Sequence, residues 1–400
     1  MPMRFRWGGV SRRGNRCAVF VVQWLETFEI VAPVVRVLRD MGWTAAIVVT
    51  PERSAVHATF DGSYDLERLR PMCESLRSMG FAPEPLVPVE AEADRLRELR
   101  PAAVFMPTPY DAQRHESLAA SRLKLPIHYV NYGLNISPHP DIEFELPFYG
   151  KCAAIYSENE YCTEHFARAG VRRARIIPTG SPALDHWDVE RSRSDEPTVL
   201  WCPHWTTRWH DASAHTIGYS TFLPSYRAVL DEAERRPHMR FIIRPHPYLW
   251  EELRSESLWT EDDEHRFHER ALELKNVTVE GGVTVTTRYP LYPSHLEQFE
   301  QAWAMVTDGI SFLAEFGYTG KPILLTEARG NPGWNPVGRA IRNVVQRSDG
   351  IQGLASFLDQ IERGIDPDAE RRREVIRGLF YRPPGGSARA IARHLSGVVG

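Results

Sequence analysis

Lysine is almost missing from this chain: among 400 residues only Lys124, Lys151, Lys275 and Lys321 occur, and arginine supplies the rest of the basic charge. The formal net charge is -4, and no basic run is interleaved with aromatics. The electrostatic footprint of a nucleic-acid-binding protein is therefore absent. Cysteine is also scarce. Cys17, Cys73, Cys152, Cys162 and Cys202 are odd in number and not spaced as metal-ligand pairs, which excludes a disulfide framework and reads as buried thiols in a reducing compartment, the cytoplasm. No segment reaches the ~18 uninterrupted apolar residues of a membrane span. The basic stretch MPMRFRWGGVSRRGNR is followed only by Ala18–Gln23, too short for the apolar region of a signal peptide. Contact with a membrane is thus expected to be peripheral, at the inner face of the cell membrane. The arginine-rich stretch 370–377 reads as a solvated helix face rather than a dock for it.

Two phosphate-binding fingerprints are missing as well. GxGxxG and GxxxxGK[ST] do not occur, so neither a nicotinamide dinucleotide nor a P-loop nucleotide is indicated, and no cofactor is expected. His204, His210 and His215 with Asp211 match no familiar ligand spacing, so no metal is expected. The run Glu261–Glu264 lies among other charges and reads as a solvated surface.

What is present is a repeated alternation. Short runs rich in Val and Ile, at Ala18–Gln23, Thr44–Thr50, Pro85–Val89, Ala102–Met106, Pro126–Val130 and Ala153–Tyr156, alternate with segments of helical period and predict buried parallel strands. A helix is predicted from about Glu26 to Met41, closed by Gly42. Around Asp185–Pro197 the periodicity gives way to charge, Ser and Pro, which marks a linker. The alternation restarts at Thr198–Cys202, Phe241–Arg244, Val277–Glu280, Ala304–Thr307 and Pro322–Thr326. With 42% apolar residues the chain has enough to fill two cores. The fold class is α/β, with two Rossmann-like domains facing a central cleft: residues 1–188 on the acceptor side, 189–380 on the nucleotide-donor side, and 381–400 as a tail helix that crosses back to the first domain. Ser294 and Glu297 fit a capping box at the start of the helix before Ala304.

Four segments carry candidate chemistry. FIIRPHP ends a predicted strand with Arg244 and His246 between prolines, so a stiff turn presents the imidazole where ligands bind such sheets. His246 suits donation to a phosphate oxygen and Arg244 a bidentate clamp, with a purely structural turn as the alternative. In VTDGISFLAEFGYTGKPILL, Thr307, Asp308, Gly309 and Ser311 sit at a helix N-terminus, where free N–H groups favour an anion. Glu315, one turn on, is placed to accept from ribose hydroxyls, while Asp308 and Ser311 also suit plain helix caps. WCPHWTTRWHD offers Trp205 or Trp209 to stack on a base or simply to pack. HYVNYGLNISPHP, in the first domain, offers Tyr132 and His139 as the acceptor-side proton acceptor, with His128 buried in its strand.

RPHP, TDGISFLAEFGYTGKPILL and the strand into WCPHW together resemble the CDP-glycerol glycerophosphotransferase family of teichoic-acid and capsule polymer synthesis, over about residues 198–326. The resemblance implies a GT-B fold, a CDP-linked donor, and transfer of a polyol phosphate to an acceptor hydroxyl with release of CMP. It implies that His246 and Ser311 hold the donor phosphates. Two positions depart from the family: Asn131-Tyr132-Gly133 stands where His-Gly-Thr is usual, and Pro203-His204-Trp205 where Pro-Thr-Trp is usual. The first leaves the acceptor-side base open. A GT-B glycosyltransferase using a nucleotide sugar, a sugar-nucleotide epimerase and a non-catalytic nucleotide-binding scaffold are the other readings.

Overall fold

The structure, a computed structural model, describes residues 16–50, 66–86, 89–109, 123–188, 194–207, 209–210, 216–280 and 294–399. Seven parallel strands form a first sheet: β1 (Cys17–Val22), β2 (Thr44–Val49), β3 (Pro83–Pro85), β4 (Ala103–Met106), β5 (Ile127–Val130), β6 (Cys152–Ser157) and β7 (Ile176–Pro178), in the order β3-β2-β1-β4-β5-β6-β7. The second sheet combines β8 (Thr198–Cys202), β11 (Arg240–Ile243), β12 (Val277–Val279), β13 (Ala304–Thr307), β14 (Ile323–Glu327) and β15 (Gln346–Asp349). Its order is β12-β11-β8-β13-β14-β15, again all parallel. A two-stranded antiparallel ribbon, β9 (Trp209–His210) with β10 (Thr216–Ile217), lies apart from both.

Central strands are apolar on both faces because helices cover both, and β1 is buried throughout. The predicted helix appears as Leu25–Asp40, and Gly42 follows it at φ +80°, a conformation that closes a helix without strain only at glycine. The strands at the sheet edges differ most from the sequence reading. The third strand is Pro83–Pro85 instead of 85–89, and the chain is already helical at Val89. Two prolines remove ladder donors, which confines that strand to a short edge. Strands β7 and β15 had no apolar alternation to betray them; β15 reads Gln-Arg-Ser-Asp on the opposite edge. The Ser294 capping box is also corrected. Ser294 precedes the helix His295–Gln301 but makes no side-chain cap, whereas Thr260 and Asp263 form a reciprocal box at the helix Glu261–Glu273.

Each sheet reverses its strand order beside its first strand, between β1 and β4 and between β8 and β13, and such crevices at carboxyl ends are where ligands bind. The last helix, Ser387–Val399, returns to the first domain. Ala388, Ile391, Ala392 and Leu395 share a core with Val31, Val35 and Leu38. Asp185 fixes its start by accepting from the Ser387 and Ala388 N–H groups at 2.7 and 2.8 Å, which leaves no room for a Cβ at Gly386. Replacing Asp185 with Ala is expected to cost about 1 kcal/mol, the usual value of an N-cap. The check is a lower unfolding midpoint together with faster amide exchange confined to the last helix.

Candidate functional site

The carboxyl end of β13 is built around a buried aspartate. Asp308 accepts from the His204 N–H and from both the N–H and hydroxyl of Thr221, so one carboxylate ties the loops after β8 and β13 to the helix Phe222–Arg235. Burial pushes its carboxyl up to about 7, against the pull of those donors. Thr307 is also committed: its hydroxyl donates to the Cys202 carbonyl at 2.8 Å and accepts from the Gly309 N–H at 2.9 Å. These two expected phosphate ligands therefore shape the loop. The helix Ser311–Tyr318 that follows has no side-chain cap at Ile310, so its first-turn N–H groups and the positive end of its dipole remain for an anion.

At the end of β11, the ladder with β8 continues past the strand: Arg244 donates to the Trp201 carbonyl and His246 to that of Pro203. The Tyr248 N–H approaches His246 Nδ1 at 3.2 Å. With Nδ1 accepting, the other ring nitrogen, Nε2, is the one that carries a proton. His204 lies 5.6 Å from His246, ring to ring, and burial lowers it to about 3, so it is uncharged. Trp205 packs edge-on or tilted against His246 and Tyr248. His215 and Asp211 lie outside the described residues, as do the side chains of Trp209 and His210.

The first domain closes on this surface. Trp24, after β1, meets both Tyr132 of its own domain and Tyr248 of the other in T-shaped contacts at 6.0 and 6.2 Å. Gly133 faces Ser311 so closely that a Cβ there would stand 2.6 Å from the hydroxyl oxygen. Tyr132, Gly133 and Ser311 thus come together. His139 does not join them through any described contact. It precedes the short helix Pro140–Phe144, in a loop whose Asn135 and Ile136 carbonyls accept from Asn335 of the second domain.

Two expected ligand groups turn inward. Arg244 is 3% exposed and donates to Gln298 Oε1 at 2.8 Å, with its guanidinium over Phe312. Gln298 in turn donates to Glu280, and the Arg244 charge acts to lower the carboxyl of Glu26 against its burial. Glu315 is 5% exposed and, instead of reaching for ribose, sits 3.0 Å from His295 Nε2, while Glu29 of the first domain lies 2.6 Å from Nδ1. Burial alone would lower His295, but the two carboxylates outweigh it and hold the imidazolium up to about 10. His295 and Glu29 were missed in the sequence because an isolated His and a lone Glu inside an apolar helix carry no spacing signal. Glu26, half-buried beside them with its carboxyl raised by burial, is a further carboxylate on the first-domain wall.

No protein-family model matches the chain, and no curated protein matches it. Solved structures do. UDP-GlcNAc 2-epimerase from Neisseria meningitidis, bound to UDP-GlcNAc, is 14% identical, with 96% of this chain and 99% of that one covered and a TM-score of 0.56. The S. aureus MnaA structure with UDP is 12% identical, covers 96% of each chain and has a TM-score of 0.59. The wall teichoic acid polymerase TagF is 12% identical, with 96% of this chain and 89% of that one covered and a TM-score of 0.56. The fold is GT-B. The seam between the two domains holds the Glu29–His295–Glu315 triad.

Two outcomes follow for this GT-B cleft. His295→Gln strands two buried carboxylates and is expected to cost about 3–5 kcal/mol. Because the folded imidazole binds its proton more tightly than the unfolded one, the contribution is complete below about pH 6.5 and lost as pH rises towards 10. Urea unfolding of both proteins across that range should show their difference shrinking. Gly133→Ala should cost about 1–3 kcal/mol by crowding Ser311, and Ser311→Gly in the same chain should return most of it, as read by thermal unfolding.

Proposed function

We propose that the protein is a transferase that moves a polyol phosphate from a CDP-linked donor to a hydroxyl of a glycan or polyol acceptor in cell-surface polymer synthesis. The observation that supports this reading is a chain of contacts across the two domains: Gly133 meets Ser311 at the uncapped N-terminus of its helix, and Trp24 joins Tyr132 to Tyr248, whose ring lies 5.2 Å from that of His246. Together they form an anion seat that closes from both sides. No lysine and no exposed arginine among the residues described above lines it, so a diphosphate would be held by neutral donors and a helix dipole.

In this reading Ser311 and the N–H groups of the first turn of its helix hold the donor diphosphate. His246 donates through Nε2 to the phosphate oxygen that gains charge as CMP departs, an interaction stronger in the transition state than before it. Tyr132 lies on the acceptor side, with Trp24 behind it and Trp205 on the opposite wall beside His246. Asp308, Thr307 and Gly309 set the loop, and Arg244 balances buried carboxylates beneath the floor. The likeness to the wall teichoic acid polymerase supports this choice at the level of fold.

A nucleotide-sugar reading, as glycosyltransferase or epimerase, is favoured by one specific observation: two of the similar structures hold UDP-GlcNAc or UDP. Among the described residues no helix is long and apolar enough to cross a membrane, and contact with the cytoplasmic face of a membrane is part of the proposal.

Thermal unfolding with CMP, CDP, CDP-glycerol, UDP and UDP-sugars separates the readings, because a ligand that binds only the folded state raises its stability. Selective stabilisation by cytidine ligands, reduced at least tenfold in apparent affinity by His246→Ala, is the expected result. Preference for uridine ligands would replace it with the nucleotide-sugar reading. Absence of any response would leave the scaffold.

A further inference from the structure

Two histidines follow neighbouring strands of the second sheet and share one backbone device. β8 lies between β11 and β13. The chain leaves β8 through Pro203 and His204, as it leaves β11 through Pro245 and His246. In each loop the N–H two residues on approaches the imidazole Nδ1: that of Thr206 stands 3.2 Å from His204, and that of Tyr248 3.2 Å from His246. The two loops are joined to each other as well. The His246 N–H donates to the Pro203 carbonyl at 2.9 Å, and the two rings stand 5.6 Å apart. On the other side, the His204 N–H donates to Asp308, three residues before Ser311. His204 therefore sits between the loop that carries His246 and the loop that carries Ser311, bonded to both through its own backbone or that of Pro203.

The tautomer of His204 is fixed from the protein side. Its Nδ1 meets the Thr206 N–H and, at 2.9 Å, the Thr206 hydroxyl. That hydroxyl accepts from the Tyr219 N–H at 3.2 Å, so its own proton is available to Nδ1. Two donors on one lone pair leave Nδ1 unprotonated, and the proton of the neutral ring is on Nε2. Thr206 is buried, whereas His204 is partly exposed, and among the described residues its ring makes hydrogen bonds only to Thr206. A metal ion would need the lone pair that Thr206 already uses. What the ring has left is an N–H, the partner of an anionic oxygen. This is also one of the two positions at which the chain departs from the family it resembles, where Thr stands in place of His204. An imidazole carries its outer N–H well beyond the point where a threonine hydroxyl ends.

We propose that His204 is a second ligand of the donor diphosphate, its Nε2–H taking one phosphate oxygen while His246 serves another. This rests on the transferase reading above and adds to it a residue that sets how the donor is held. Burial keeps the His204 ring uncharged near neutral pH, so it contributes a directed N–H without a full positive charge. Its backbone bond to Asp308 fixes the ring relative to the helix that begins at Ser311, and the Pro203 carbonyl fixes it relative to His246. The diphosphate thus meets donors from three successive strands of the sheet order, β11, β8 and β13. His204 grips the donor before and during transfer alike, so its removal acts on donor affinity more than on the chemical step.

The test uses the full chain with histidine labelled at its ring nitrogens, and CDP and UDP as probes. Long-range proton–nitrogen spectra of the free protein should show His204 as the Nε2–H tautomer, its signal assigned by its loss in His204→Thr. Saturating CDP should move that proton downfield and slow its exchange with water, a response that a merely structural imidazole would not give. His204→Thr should lower the apparent affinity for CDP about tenfold by calorimetry, and raise KM for CDP-glycerol while kcat changes by less than about threefold. His204→Gln, whose amide again carries an N–H, should recover part of the loss. The parent spectra decide alone where a variant loses its fold. A His204 signal unmoved by saturating CDP, or a folded His204→Thr protein that binds CDP within about twofold of the parent, overturns the assignment and leaves the transferase reading intact. A parent that prefers UDP, with the His204 signal responding to it, overturns the CDP reading and keeps His204 as a diphosphate ligand. Binding of neither nucleotide overturns both.

Discussion

Glu29 and Glu315 belong to different domains, and the imidazolium of His295 stands between them with all three groups buried. A charge triad of this kind adds little net stability over a well-packed apolar patch, because desolvating the ions offsets most of their attraction. What it does is make one arrangement of the domains far better than its neighbours. Parting the sheets by a few ångströms would leave a desolvated carboxylate facing nothing, so the cleft has a closed state with a sharp preference. The contacts that shape the site cross the same seam: Trp24 reaches Tyr248, and Gly133 reaches Ser311.

A second consequence concerns charge. A diphosphate is usually met with lysine or exposed arginine, yet the arginine nearest the seat is buried and faces carboxylates on both sides of the cleft. His204 is uncharged. Among the described residues, the helix dipole and unmatched N–H groups at Ser311 are a source of positive potential on this surface that carries no full charge.

The sequence displayed the backbone of this design better than its side-chain assignments. Runs of Val and Ile marked the interior strands because both faces of a parallel sheet are covered. The edge strands β7 and β15 escaped, and β3 was placed too late, because short proline-containing or polar stretches follow no apolar pattern. RPHP was legible for a similar reason: two prolines fix the turn whatever surrounds it. Glu315 was not. Helical spacing correctly put it one turn beyond Ser311, but spacing says nothing about which residue of another domain meets that face. Ser294 shows the same limit. A capping box is a local motif, and the buried carboxylate of Glu29 competes for the hydroxyl that would have closed it.

Two proton-binding centres flank the contact between Gly133 and Ser311, and they differ in the strength with which they hold a proton. In the triad, two carboxylates surround one imidazole, and the proton stays to about pH 10. In the pair of Glu143 and Glu158, two carboxylates surround the amides of Asn135, and the proton is bound on Glu143 only to about 7. The difference lies in the middle group: an imidazole becomes the counterion of its neighbours, whereas an amide can only donate to both. One centre is thus a fixed charge that sets the distance between domains. The other, with no counterion between its carboxylates, gives up its proton near neutral pH. Neither titrates the other, because the pH ranges over which they change charge barely overlap.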